Sequence, residues 1–338
     1  MKGRDLFCLI SVLICILIAG GTQAADKAKF KWRMQSALPE GDADFAINTK
    51  GVAKLIEEGS GGQVKVEVFP VGVLVGPDSI VDAVSKGAIE AGHIIAGMAA
   101  DRVPSALGSE MPFGTRDRDD VFVLHQLWGM ADIMRQEYAQ HNIHFLTNFH
   151  DGQLTFQSTF PVESTASFKG KKVFAIPNCL WLTQFGASPV EVPGLDLYTA
   201  MKLGTINGMT WTVAELETTN LKEVVKHVTF PALLTPGTHL LVNKKAWDAL
   251  GSDLQRQIQD HVDANVYSLG VEYDRANDQA LSAAKKYGVK VRTLPPAEIA
   301  KLRAASRSFW DEIEGLSPHS KKMVELYKAF MKEKGIAW

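Results

Sequence analysis

From Phe30 onward the spacing of apolar residues switches repeatedly between strand-like and helix-like, and few folds satisfy that alternation. Phe30, Trp32 and Met34 alternate as a strand, which Pro39, Glu40 and Gly41 break. Phe45, Val52, Leu55 and Ile56 then follow at roughly helical spacing, and Gly59, Ser60, Gly61 and Gly62 end the helix. Val64, Val66 and Val68 form a second strand, closed by Pro70 and Gly72. Asp78 stands where a cap opens a helix carrying Ile80, Val81 and Val84, Gly87 closes it, and residues 89–95 read as a third strand. Strands separated by helices of this length predict a parallel sheet covered by helices on both faces.

The same grammar returns further on. Residues 145–149, 155–158 and 171–176 read as strands, and 180–185 as the start of a helix, so a second α/β lobe is expected. Residues 240–243 form a short strand. A helical stretch begins at 244–263 and continues with little Gly or Pro to Tyr287, and the tail 296–334 is helical and amphipathic.

Lys2 and Arg4 precede an apolar run from Leu6 to Ala19, followed by Gly20, Gly21, Thr22, Gln23 and Ala24. That is the pattern of a secretory signal peptide cut after Ala24. A spanning helix needs about 20 apolar residues, and this run is broken before that length. Cys8 and Cys15 fall within the leader, so Cys179 alone remains in an oxidising compartment and no disulfide framework exists. The mature chain of about 310 residues must hold by packing, at a length that usually splits into two lobes. Loss of two cations and one anion with the leader (Lys2, Arg4 and Asp5) takes the formal charge from −2 to −3, which argues against nucleic acid or an anionic membrane as partner.

Catalytic constellations are largely missing. The sequence has no Gly-rich phosphate cradle, no G-x-S-x-G elbow, and no H-E-x-x-H or paired C-x-x-C. His141, His144 and His150 sit on a turn-to-strand junction and read as surface or structural, and Cys179 with a distant His is a weak nucleophile. No catalytic residue, metal site or cofactor is expected. Trp181 and Trp211, with Phe149, Phe156 and Phe174, lie beside Gln153, Gln157, Asn178 and Thr210, a mixture that suits a small-molecule site, although rings of this kind are commonly core.

The segments 167–174 (S-F-K-G-K-K-V-F), 185–190 (F-G-A-S-P-V) and 197–208 (L-Y-T-A-M-K-L-G-T-I-N-G) resemble, in order and spacing, the second lobe of TRAP (tripartite ATP-independent periplasmic) transporter solute receptors of the DctP type. Residues 69–76 and 82–91 are similar to that family's first lobe, so the resemblance spans nearly the whole mature chain. Within the family, Trp32 to Met34 and Trp211 are most similar to receptors for keto acids and related monocarboxylates. The resemblance implies a two-lobed periplasmic-binding-protein-like α/β fold with a hinge and a long helix spanning both lobes. It also implies a periplasmic location and delivery of one small-molecule ligand to a membrane permease. The lobes would comprise 25–150 with about 232–280, and 151–231 with about 281–310, followed by a C-terminal helical tail at 311–338.

Three positions depart from the family. Phe174 stands where the family has an arginine that forks onto the ligand carboxylate, Thr210 where the keto-acid receptors have an acidic residue that helps hold a metal ion, and Asn207 where an aspartate is usual. A phenylalanine cannot pair a buried carboxylate. An aromatic or otherwise hydrophobic organic acid is therefore expected, its anion held by backbone N–H groups, Gln153, Gln157 or Asn178, its body against Phe174 and Trp211, with Thr210, Trp181 and Phe156 completing the site. The alternative is a small amine or neutral polar solute, with Glu40, Asp42, Asp151 or Glu215 supplying negative charge and Trp181 or Trp211 a cation–π face. A secreted hydrolase and a sensor subunit are the readings from other classes. The short tail after 334 suggests a monomer.

Overall fold

The computed structural model of the chain describes residues 28–338, so the leader at 1–24, with Cys8 and Cys15, lies outside the described residues. The first lobe begins with β1 (Phe30–Ser36), α1 (Lys50–Gly59), β2 (Val64–Phe69), α2 (Ile80–Lys86) and β3 (Ala91–Ile95). Three helices follow, α3 (Ser105–Gly108), α4 (Arg118–Phe122) and α5 (Met130–Ala139), and lead into β4 (Ile143–His150). The chain then crosses to the second lobe with β5 (Leu154–Ser158), β6 (Lys172–Phe174), β7 (Ser188–Pro189), α6 (Leu197–Leu203), β8 (Gly208–Thr212), α7 (Glu215–Thr218) and β9 (His227–Leu234). It returns through β10 (Gly237–Asn243) and α8 (Lys244–Asp248) to α9 (Ser252–Lys286), then β11 (Lys290–Thr293), α10 (Pro296–Leu316) and α11 (Pro318–Lys334).

Two sheets result, in the orders β2-β1-β3-β10-β4 and β11-β9-β5-β8-β6-β7. The first is not the all-parallel sheet that the strand–helix alternation predicts. β1 is parallel to β2 and β3, but β10, arriving from the other lobe, pairs antiparallel with both β3 and β4. The direction of a returning strand is set by where the chain comes from, and local periodicity is blind to that. Residues 180–185 also differ from expectation: they belong to a 3-10 stretch, Pro177–Phe185, rather than an α-helix.

The long helix α9 is held by an apolar stripe at steps of three and four: Leu254, Ile258, Val262, Val266, Leu269, Tyr273, then Ala280 and Ala284. Its first half packs on α1 and the Trp32–Val66 core of the first lobe. Its last turns, Leu281 and Ala284, pack with Met209 and Val228 of the second. Between them, Tyr273 joins Ala43 of the first lobe and Ala214 of the second in a small separate cluster. On the other side α10 and α11 complete the largest core, which runs from Ile80 and Phe145 through Phe156 and Trp181 to Trp310 and Phe330.

Candidate functional site at the lobe junction

In α/β sheets ligands collect beyond the carboxyl ends of the strands. Here the segments leaving β1 and β8 meet: the Ala43 N–H of the first lobe donates to Glu215 Oε1 of the second at 3.4 Å. Around that contact stand four carboxylates, each at most 6% exposed: Asp42 and Asp44 after β1, Asp151 on the crossing from β4 to β5, and Glu215 opening α7. Asn48 Nδ2 donates to Asp44 Oδ1 at 2.5 Å and to Asp151 Oδ1 at 2.9 Å. Thr238 Oγ1 donates to Asp151 at 3.4 Å and Thr218 Oγ1 to Glu215 Oε2 at 2.8 Å, while the Asp44 N–H reaches Asp42 Oδ1 at 2.8 Å.

Among the described residues no lysine or arginine pairs with any of the four. The nearest ring nitrogen, His93 Nε2, is 3.9 Å from Asp44 Oδ2 and is held between Thr49 and Thr238. Burial drives its pKa down to about 3, so it is neutral and offers no counter-charge. Burial is also the first cause that raises all four carboxyl groups, and for Asp44, Asp151 and Glu215 the charges of their fellows add to it, with Asp44 reaching about 8. Asp44 Oδ2, Asn48 Oδ1 and both amide atoms of Asn277 on α9 are buried without a partner. A fifth carboxylate, Glu110, accepts from the Gly237 N–H at 3.1 Å, and burial pushes it to about 8.

A second group, on β6 and β8, is apolar. Phe174, at the end of β6, meets Trp211 of β8 edge-on, with ring centroids 5.8 Å apart. Thr210 Oγ1 accepts from the Ile176 N–H at 3.1 Å, and Gln157 Nε2 donates to the Trp211 and Thr212 carbonyls at 3.2 and 2.9 Å, leaving Gln157 Oε1 buried and unpartnered. These four residues are brought together. Gln153 is half-buried on the crossing segment, two residues beyond Asp151. Asn178 and Trp181 form a separate bridge between the lobes: Asn178 Nδ2 donates to the Leu107 and Glu110 carbonyls, and the Trp181 indole N–H donates back to the Asn178 carbonyl at 2.7 Å. Phe156 is enclosed between Phe160 and Phe168 and presents no face to a ligand.

Sequence reasoning reached Asp42, Asp151 and Glu215 only as charge for an alternative solute, and missed Asp44, Asn48, Glu110, Thr238 and Tyr273. An aspartate at the front of a helical run reads as a cap, and Asp44 carries no other local signal. His144 stacks on Trp247 at 4.0 Å, and His150 Nε2 faces Asp274 at 2.9 Å; they do not converge. Cys179 is buried and its thiol pKa is pushed up, which leaves it protonated. A hollow of about 610 Å³ lies beside β1, β2 and α1, away from the lobe junction, and several of its charged side chains are paired, as in Lys65–Glu57 at 2.8 Å.

Comparison with known proteins agrees with this architecture. Residues 39–315 match the model of the DctP family, bacterial extracellular solute-binding protein, family 7. The monocarboxylate 2-oxoacid-binding periplasmic protein of Nostoc sp. is 27% identical over 311 residues, covering 90% of this chain and 84% of the relative. The ectoine-binding periplasmic protein TeaA of Halomonas elongata is 24% identical, covering 89% and 90%. A TRAP periplasmic solute-binding protein from Chromohalobacter salexigens, solved with (S)-(+)-2-amino-1-propanol, superposes with a TM-score of 0.78 at 24% identity, covering 90% of this chain and 96% of that one. The two lobes, the crossing strands and the family match lead to one assignment: this chain belongs to family 7 of the bacterial extracellular solute-binding proteins, the DctP family of TRAP solute receptors.

Proposed function

We propose that this TRAP receptor, working in the periplasm, closes on a small organic solute that carries a positive charge, a primary amine or amino alcohol, and passes it to a membrane permease. One observation carries the reading: Asp42, Asp44, Asp151 and Glu215 are drawn from both lobes and the crossing segment into one buried cluster to which, among the described residues, no lysine or arginine is paired. Ionised carboxylates taken out of water cost several kcal/mol each unless paired. A bound ammonium, with three N–H donors, supplies that pairing only when the lobes are shut, which is what a closing receptor requires of its ligand. Phe174 and Trp211 then cover the solute's carbon skeleton.

The aromatic organic acid expected from Phe174 and Trp211 suits this junction less well, because its anion would enter beside four acidic groups with no arginine to receive it. The ring pair still favours some apolar body on the ligand, and the acid remains the second reading. Relatives and structural neighbours are binding proteins, and the one solved with amino-propanol shows that this fold accommodates an amine.

The test is a thermal-shift panel on mature protein stripped of carried-over solute by unfolding and refolding, with small amines, amino alcohols, 2-oxoacids, and indole and phenyl acids. Amines should raise the melting temperature. A response confined to acids would overturn the cationic reading.

A further inference from the structure

We propose that the solute carries two cationic groups, as in a short α,ω-diamine, because the junction carboxylates fall into two hydrogen-bonded pairs, Asp44 with Asp151 and Asp42 with Glu215. This inference rests on the cationic reading above. One pair is Asp44 with Asp151, joined by the single amide of Asn48, which donates to both at 2.5 and 2.9 Å. The other is Asp42 with Glu215, joined across the lobes and anchored by the Asp44 and Ala43 N–H groups and the Thr218 hydroxyl. Tyr273, buried in the middle of α9, senses the charge of all four.

Unused acceptors mark the first pair as a place for a ligand. Asp44 Oδ2 and Asn48 Oδ1 are buried and unpartnered although each belongs to a residue already hydrogen-bonded within the pair. One ammonium group has three donors and can satisfy Asp44 Oδ2, Asn48 Oδ1 and an Asp151 oxygen together. It supplies one positive charge at the Asp44–Asp151 pair, and the Asp42–Glu215 pair, linked across the lobes through the Ala43 N–H, is left with none. A second ammonium at that pair gives each lobe a counter-charge and satisfies the cluster from both ends. Glu110 is a further buried carboxyl group near enough to raise Asp151. The tie between charge count and lobe contact distinguishes a dication from a single amine, for which one pair would suffice.

The experiment is calorimetric titration of the stripped full mature chain with 1,3-, 1,4- and 1,5-diamines, with monoamines of matched carbon number, with 2-oxoacids, and with calcium chloride. At least one diamine should bind about tenfold or more tightly than its matched monoamine, the factor that one additional charge-assisted hydrogen bond supplies. Asp44→Asn and, separately, Glu215→Gln should shrink that ratio toward unity. Equal affinity of diamine and monoamine would overturn the two-charge proposal and leave the cationic reading standing. Binding of acids alone, or no response to any amine, would overturn both. Tighter binding of calcium than of any diamine would replace the organic dication with a metal ion. Wild-type titrations decide among these outcomes even if a variant does not fold.

Discussion

Replacing Asp44 with Asn should change how stability responds to pH in a direction fixed by the structure. In the folded, ligand-free protein Asp44 is buried beside Asp42 and its pKa is raised to about 8, against about 3.9 in an unfolded chain. Between those values the folded state keeps a proton that the unfolded state has released. Unfolding free energy therefore falls as pH rises, by up to about 1.4 kcal/mol per pH unit for one such group. Near pH 7 the folded group is still mostly protonated, so about 1 kcal/mol should be lost between pH 6.5 and 7.5 on account of Asp44. The asparagine has no proton to lose, and its carbonyl can still accept from Asn48 Nδ2. The buried histidines, whose lowered pKa values act with the opposite sign at acid pH, are common to both proteins and cancel in the difference. Urea denaturation of ligand-free protein at half-unit steps from pH 6.5 to 8 should show Asp44→Asn gaining on wild type by about 1 kcal/mol over the first unit. A difference that stays flat across this range would show that Asp44 is ionised in the folded state and that the cluster is not starved of positive charge.

Three further outcomes follow from the packing. Gly152, on the crossing segment, has φ of +78°, and a Cβ there would lie 1.9 Å from Asn277 Nδ2 on α9; Gly152→Ala should cost about 2 kcal/mol or more in urea denaturation, and an unchanged midpoint would refute the close approach. Phe174→Arg places a guanidinium on the apolar wall and should weaken the thermal shift with amines while admitting pyruvate; if both responses match wild type, Phe174 does not face the ligand. Trp310, buried with its indole N–H on the Pro112 carbonyl at 3.1 Å, anchors α10 to the first lobe, so Trp310→Ala should lose about 3–5 kcal/mol, and a loss below about 1 kcal/mol would contradict that anchoring.

The α/β architecture was legible because β1, α1, β2, α2 and β3 are each punctuated by Gly, Pro or a cap within a few residues. The insertion of β10 between β3 and β4 was not, since it depends on a chain that leaves the first lobe at His150 and returns at Gly237. The same distinction applies to the site. Phe174, Thr210 and Trp211 stood out because they occupy recognisable segments, two of them consecutive on β8. Asp42 and Glu215 are bridged through Ala43 by a hydrogen bond spanning 172 positions, and each of the four carboxylates taken singly reads as a cap or a turn residue. Only the fold shows that their charges have the same neighbour, Tyr273, and, among the described residues, no paired lysine or arginine.

Phe174, where the family resemblance implies an arginine, and the acidic cluster without a paired cation among the described residues are consistent with one electrostatic change. A receptor for anions needs positive charge on the wall that the ligand meets; in the reading proposed above, rings and carboxylates stand there instead. The consequence bears on closure itself. In an open cleft water solvates the carboxylates, whereas shutting the lobes on nothing forces Asp42 against Glu215 and Asp44 against Asp151, so the empty closed state must take up protons or be rare. A cation removes that penalty and an anion adds to it. On the proposed reading, selectivity arises from which solutes permit the hinge to shut as well as from contact with the solute. Because Tyr273 lies on α9 between its first-lobe and second-lobe packing, the helix that spans both lobes is also the one that meets the charge.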